Sequence, residues 1–174
     1  LAPAARATTP GAGRPPASFG AGDIGILNYA LTLEYLEAAF YNEAVKKGAV
    51  RSTNAKRFLK VVADDENAHV AFLVKALGKD AIKKPKFDFK GTTSSEKTFL
   101  ATAEVLENTG VGAYSGQGLN IAEPAYVAAA LSILTTEARH SGALSIINGT
   151  EITPQGNFDK PATADEVLAA VKKT

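Results

Sequence analysis

The chain's only two histidines each stand three residues after a glutamate, as Glu66-Asn67-Ala68-His69 and Glu137-Ala138-Arg139-His140. On a helix that spacing is just under one turn, so each Glu and its His project from one face toward one point. Two such pairs on two helices, completed by one glutamate from each of two others, make up the ligand set of carboxylate-bridged di-metal helix bundles. Oxygen-rich ligands with one imidazole per ion suit iron or manganese and disfavour a structural zinc site. The chemistry open to such a centre is redox turnover of a small oxidant, dioxygen or peroxide. Thiol chemistry is excluded because the chain has no cysteine, and with it go disulfides and thiolate zinc sites.

Four long helices must then carry the ligands, and the periodicity supplies them. Asp23 can cap a first helix that runs to about Lys47 and stops at Gly48. Its apolar stripe reads Leu27, Leu31, Glu34, Ala38, Tyr41, Val45, with one glutamate set into it. Ser52 or Thr53 can start a second helix that ends at Gly78. There the stripe is Leu59, Val62, Glu66, His69, Leu73, Ala76, so the Glu-His pair replaces two core residues. Thr93-x-x-Glu96 has the form of a capping box for a third helix reaching about Tyr114, where Ser115-Gly116-Gln117-Gly118 should break it. Pro124 suits the first turn of a fourth helix, closed by Gly149, with the stripe Tyr126, Ala130, Ile133, Glu137, His140, Leu144, Ile147. Thr163-x-x-Glu166 opens a short terminal helix containing Val167, Leu168 and Val171. No strand pattern of any length interrupts this all-α order.

The segment from Gly78 to Thr92 has no helical period. About 15 extended residues reach roughly 50 Å, whereas a helix of about 25 residues is roughly 37 Å long. The segment can therefore cross the whole bundle and let the third helix run parallel to the second.

Height along the bundle tests the ligand set. Glu34 lies sixteen residues before a turn at position 50, and Glu66 sixteen after it, so antiparallel helices bring them level. On the third helix, Glu107 falls on the stripe Leu100, Ala103, Glu107, Gly110, Tyr114, whereas Glu104 falls on a mostly polar one. Height about the second turn mildly favours Glu104. The stripe is the firmer guide, because the turn centre is uncertain by several residues. Glu37 neighbours Glu34 but sits off the stripe. Four buried glutamates need counter-charge, which two divalent cations would supply. Asp65 could accept from a histidine N–H across the bundle, or be a solvated helix residue. Tyr41 and Tyr114, each seven residues after a glutamate of the set, read first as core aromatics, with a redox role as the alternative. Gly110 either leaves room for a small oxidant or serves close helix packing.

Composition bounds the rest. At 174 residues, 45% hydrophobic, 21% charged and net charge +1, the chain suits one soluble domain and offers no global field for nucleic acid or an anionic membrane. Lys83-Lys84-Pro85-Lys86 reads as a solvated loop, and no apolar run approaches a membrane span. Residues 1–22, rich in Ala, Pro and Gly, form an arm; 23–150 the bundle; 151–174 an extension with a short helix. An ordered arm would dock on its own bundle or link subunits into a homo-oligomer or polymer. The absence of methionine and the start at Leu1 lead us to expect a processed, exported protein, periplasmic or extracellular.

Leu27-Asn28-Tyr29-Ala30-Leu31-Thr32-Leu33-Glu34-Tyr35 is similar to the first-helix motif of ferritin-like proteins, including bacterioferritin. Leu106-Glu107-Asn108-Thr109-Gly110 through Gly116, Thr136-Glu137-Ala138-Arg139-His140 and the tail Phe158-Asp159-Lys160-Pro161 resemble the branch that includes desiccation-related proteins. This resemblance covers about residues 23–172. It implies a ferritin-like four-helix bundle with a long crossover between helices 2 and 3, and two iron or manganese ions held by Glu34, Glu66, His69, Glu107, Glu137 and His140. It thus favours Glu107 over Glu104. The branch implies no particular reaction, so ferroxidase-, peroxidase- and catalase-like turnover all stay open. So does a structural, stress-protective role in which the ions only stabilise the bundle.

Overall fold

The computed structural model describes residues 13–172. They form α1 (Gly22–Lys47), α2 (Thr53–Leu77), α3 (Glu96–Gly118), α4 (Pro124–Asn148) and the short α5 (Ala164–Val171). No strand occurs among the described residues. Short turns fold α1 onto α2 and α3 onto α4 as antiparallel hairpins, which pack together through α1 against α3 and α2 against α4. Among the described residues no helix is long and apolar enough to cross a membrane.

Most helix ends follow the local signals. Gly48 closes α1 and Gly149 closes α4, both in the left-handed region; Ser52 caps α2, and Pro124 opens α4. Thr163 and Glu166 form a reciprocal capping box, with Thr163 N donating to the Glu166 carboxylate at 2.8 Å.

Three signals are spent differently. Asp23 does not cap its own helix; its carboxylate accepts from Ala122 N and Glu123 N at 2.9 and 2.8 Å and so ties the start of α1 to that of α4. The Thr93/Glu96 box does not form, because Ser95 is the cap of α3 and Glu96 instead accepts from Ser52 N at 3.0 Å and from Arg51 N, at the start of α2. The glycines after Tyr114 do not break α3, which continues to Gly118. A Cβ on Gly116 would stand 1.8 Å from Ala162 O, so this glycine lets the C-terminal segment lie directly on the helix. Val45, expected in the α1 stripe, is exposed at 52%.

The connection between α2 and α3 spans the bundle. It leaves beside Asn28, whose buried amide donates to Asp80 O at 3.0 Å and accepts from Ile82 N at 3.0 Å. It arrives beside the far end of α1, where Lys47 Nζ donates to Thr93 Oγ1 at 2.9 Å. α2 and α3 therefore start at the same end and run parallel. Phe87 and Phe89 of the crossover pack onto the aromatic layer it reaches.

Two apolar layers bracket the middle of the bundle. One stacks Phe40 on Phe99, centroids 5.2 Å apart, with Tyr41, Phe58, Leu59, Val62, Leu100 and Leu144. The other gathers Leu27, Leu31, Leu73, Leu77, Tyr114 and Ile133. A third cluster lies outside, where α5 and Phe19 cover Tyr29, Leu33 and Ala113 on the α1/α3 face. Residues 1–12 of the N-terminal arm lie outside the described residues, and the expectation of subunit linkage falls on that part. Residues 13–20 follow their own bundle, with Gly13 O accepting from Gln117 Nε2 at 2.5 Å and from Ala164 N at 3.0 Å.

Candidate metal centre

Between the two apolar layers, four helices each turn a carboxylate inward. Glu34 of α1, Glu66 of α2, Glu107 of α3 and Glu137 of α4 are all 0% exposed. They sit where the stripe calls for Leu or Val, so burying each apolar neighbour drags a carboxylate in with it. His69 and His140 follow one turn after Glu66 and Glu137 and aim at the same space.

Their atoms converge. His69 Nδ1 lies 3.2 Å from Glu34 Oε2, 3.3 Å from Glu137 Oε1 and 3.5 Å from Glu66 Oε2. His140 Nδ1 lies 3.1 Å from Glu107 Oε2 and 3.3 Å from Glu66 Oε1. A ring nitrogen can give one hydrogen to one acceptor, and those hydrogens serve Glu34 and Glu107. Both oxygens of Glu66 and both of Glu137 remain without a hydrogen bond although fully buried. Four such oxygens are costly unless a cation answers them.

The donor atoms fall into two overlapping groups able to hold an ion. One is Glu34, Glu66, His69 and Glu137; the other is Glu66, Glu107, Glu137 and His140; within each, the donor atoms lie within 4.8 Å of one another. The two groups share Glu66 and Glu137, each of which has two oxygens to divide between them. Glu34 with His69, and Glu107 with His140, terminate opposite ends. The donor set thus fits a pair of oxygen-preferring cations on the orphaned oxygens themselves.

With only the protein's own charges present, protons take the cations' part. Burial raises Glu66 to about 7, with the charge of Glu34 adding to it and the two histidines opposing. Glu137 is pushed well above the ordinary carboxyl range by burial and then by Glu66 and Glu107. Burial works against charge on His140, but its contacts with Glu107 and Glu66 outweigh this and raise it to about 11. His69 is raised further, again against burial, by Glu137, Glu34 and Glu66. Glu34 moves the other way: burial raises it, but the hydrogen bond and charge of His69 leave it below its usual value.

Around these six a second set of contacts fixes orientation. Tyr41 of α1 donates to Glu107 of α3, and Tyr114 of α3 donates to Glu34 of α1. Each tyrosine, expected as a core aromatic, is fully packed and also holds a carboxylate oxygen. Asp65 accepts from His140 Nε2 at 3.1 Å, the cross-bundle contact anticipated for it, which leaves Nδ1 as the inward nitrogen. Thr136, in the corresponding place before Glu137, turns back to Ser132 O at 3.2 Å instead.

Glu104 is engaged elsewhere. Its carboxylate accepts from Ser145 Oγ at 3.2 Å, Asn148 Nδ2 at 2.6 Å and Thr150 Oγ1, binding α3 to the end of α4. The residue that sequence reasoning passed over is Glu37, 3% exposed and facing the cluster. Burial raises its carboxyl well above the usual range, and the charges of Glu137, Glu66, Glu107 and Glu34 raise it further. Its i,i+3 spacing from Glu34, the same spacing that singled out the histidines, was the available signal.

A family model described as a ferritin-like domain matches residues 22–150. No curated protein matches the chain.

Proposed function

The chain belongs to the ferritin-like domain family, and on that premise we propose that its buried cluster holds two iron or manganese ions that act on dioxygen or peroxide. Glu66 and Glu137, common to both ligand groups, would serve both ions, Glu34 with His69 would hold one, and Glu107 with His140 would hold the other. The observation that carries this reading is the pair of fully buried glutamates whose four oxygens have no hydrogen bond and belong to both ligand groups. When bound, the ions supply electron transfer to and from the small oxidant. The protein's own part is to orient and to exclude water. Tyr41 and Tyr114 lock one oxygen each of Glu107 and Glu34, Asp65 fixes the inward nitrogen of His140, and the two apolar layers keep bulk solvent from the bundle axis. A groove between α2 and α4, lined by Arg57, Asp65, Arg139 and His140, is the approach for a small oxidant.

The complete burial of all four carboxylates also favours a second reading, in which the ions staple the bundle without turnover. Metal analysis of the purified protein, with visible spectra before and after peroxide, separates the two. Two ions per chain that change oxidation state and return support the redox reading, and two that never do support the staple. A chain without bound metal, and with melting unaffected by chelator, refutes both.

A further inference from the structure

The cluster contains one carboxylate more than the pair of ions uses. The two hairpins repeat each other closely: Glu34 matches Glu107, Tyr41 matches Tyr114, Glu66 matches Glu137, and His69 matches His140. At one inward position the match fails, where α1 has Glu37, three residues after Glu34, and α3 has Gly110, three after Glu107. The two face each other. A Cβ on Gly110 would stand 3.0 Å from Glu137 Oε2 and 3.5 Å from Glu37 Oε1, so both oxygens look onto the space that the missing side chain leaves. Glu37 is 3% exposed, and its Oε1 shares the clearing with Glu137 Oε2. A second carboxylate set beside that of Glu137 at so little exposure is costly on any helix that could have placed Leu or Gln there instead.

We propose that Glu37 is a seventh protein ligand of the di-metal centre, reaching the ions through the clearing at Gly110. The proposal rests on the di-metal reading above. Glu37 belongs to neither ligand group as the side chains stand, so it binds by turning its side chain into the clearing, with the helices staying where they are. In a divalent pair it completes the shell of one ion, and its charge would further balance a pair in which one ion is trivalent. Glu37 is therefore the ligand that makes the two ions unequal and favours the oxidised centre. Gly110 has its role defined by the same argument, as the clearing for a ligand.

Cobalt(II), which does not turn over, is the probe. The full chain is titrated with Co²⁺ while its visible d–d bands are recorded, in wild type, Glu37→Gln and Gly110→Ala. Glu37→Gln keeps the size of the side chain and removes its charge; Gly110→Ala keeps Glu37 and fills the clearing. We expect two Co²⁺ per chain in all three. In both variants one of the two should bind roughly tenfold more weakly, with stronger d–d absorption as its coordination number falls. Wild-type affinity and an unchanged spectrum in Glu37→Gln overturn the seventh ligand while leaving the di-metal reading intact. A spectral change in Glu37→Gln but none in Gly110→Ala overturns the clearing as its route. A wild type that binds no Co²⁺ overturns both the ligand and the reading it rests on.

Discussion

Removing the ions should reverse the sign of the protein's pH–stability profile. In the chelated protein Glu66 titrates near 7 against an ordinary value of 4.5. Its folded pKa lies above its unfolded one, so its stabilisation is fully present below about pH 4.5 and is lost as pH rises through 7. At about 1.4 kcal/mol per unit, the loss is about 3 kcal/mol. Glu137 and Glu37, raised by the same burial, add to it, and His140, held at about 11 against 6.5, continues the decline above neutrality. Glu34 opposes within the cluster, its lowered pKa giving stability that is lost toward acid. In the loaded protein these groups must be deprotonated to ligate, so stability should rise over the same window. Urea unfolding at pH 5, 6 and 7, with chelator and with Mn²⁺, measures both slopes. Glu66→Gln identifies the source: in chelator it should remove about 2 kcal/mol of the decline between pH 5 and 7. A chelated wild type that gains stability from pH 5 to 7, or a Glu66→Gln profile parallel to wild type, refutes the reasoning.

Other substitutions test the parts. Glu66→Ala and His140→Ala should each lose bound metal, whereas Glu104→Ala should keep it and lose about 1–3 kcal/mol of stability, because it leaves Ser145, Asn148 and Thr150 without their acceptor. Metal content together with urea midpoints decides this, and metal loss in Glu104→Ala alone would reverse the α3 assignment. Tyr114→Phe and Tyr41→Phe remove the donor to Glu34 or Glu107 and should weaken metal binding about tenfold without changing stoichiometry, as read by competition with a calibrated chelator. Asp65→Asn should weaken only one of the two ions, since Asp65 orients His140 and no counterpart at Thr136 orients His69, so one step of the metal titration should shift while the other stays in place.

The four long helices and the inward glutamates were legible because one pattern encodes both. A residue on the apolar stripe is buried whatever its chemistry, so Glu34, Glu66, Glu107 and Glu137 announced themselves as core positions bearing charge. What misled was local chemistry claimed by distant partners. Asp23 looks like a cap from its neighbours in sequence, but the free N–H groups it serves belong to Ala122 and Glu123. Glu96 forms half a capping box on paper and is taken by the start of α2. Gly116 and Gly118 weaken a helix only in isolation; on α3 the C-terminal segment needs the space at Gly116 and packs where a side chain would be. Glu37 was missed for a related reason. The stripe is narrower than the buried face, which at the middle of a four-helix bundle extends to the positions flanking it.

The six clustered side chains were easier to read than their surroundings because they recur: two helix hairpins of similar pattern present the same residue types at the same heights, and each copy corroborates the other. Departures from that repeat have no second copy to point to them. Asp65 against Thr136 and Glu37 against Gly110 are such departures, and both lie within reach of the cluster. A site meant only to staple four helices would gain nothing from unequal halves, since two equivalent ions cross-link as well as two different ones. Two ions doing different parts of a redox cycle would make use of unequal surroundings. The asymmetry of an otherwise repeated core is what the proposed turnover would draw on, and it lies in side chains rather than in the fold.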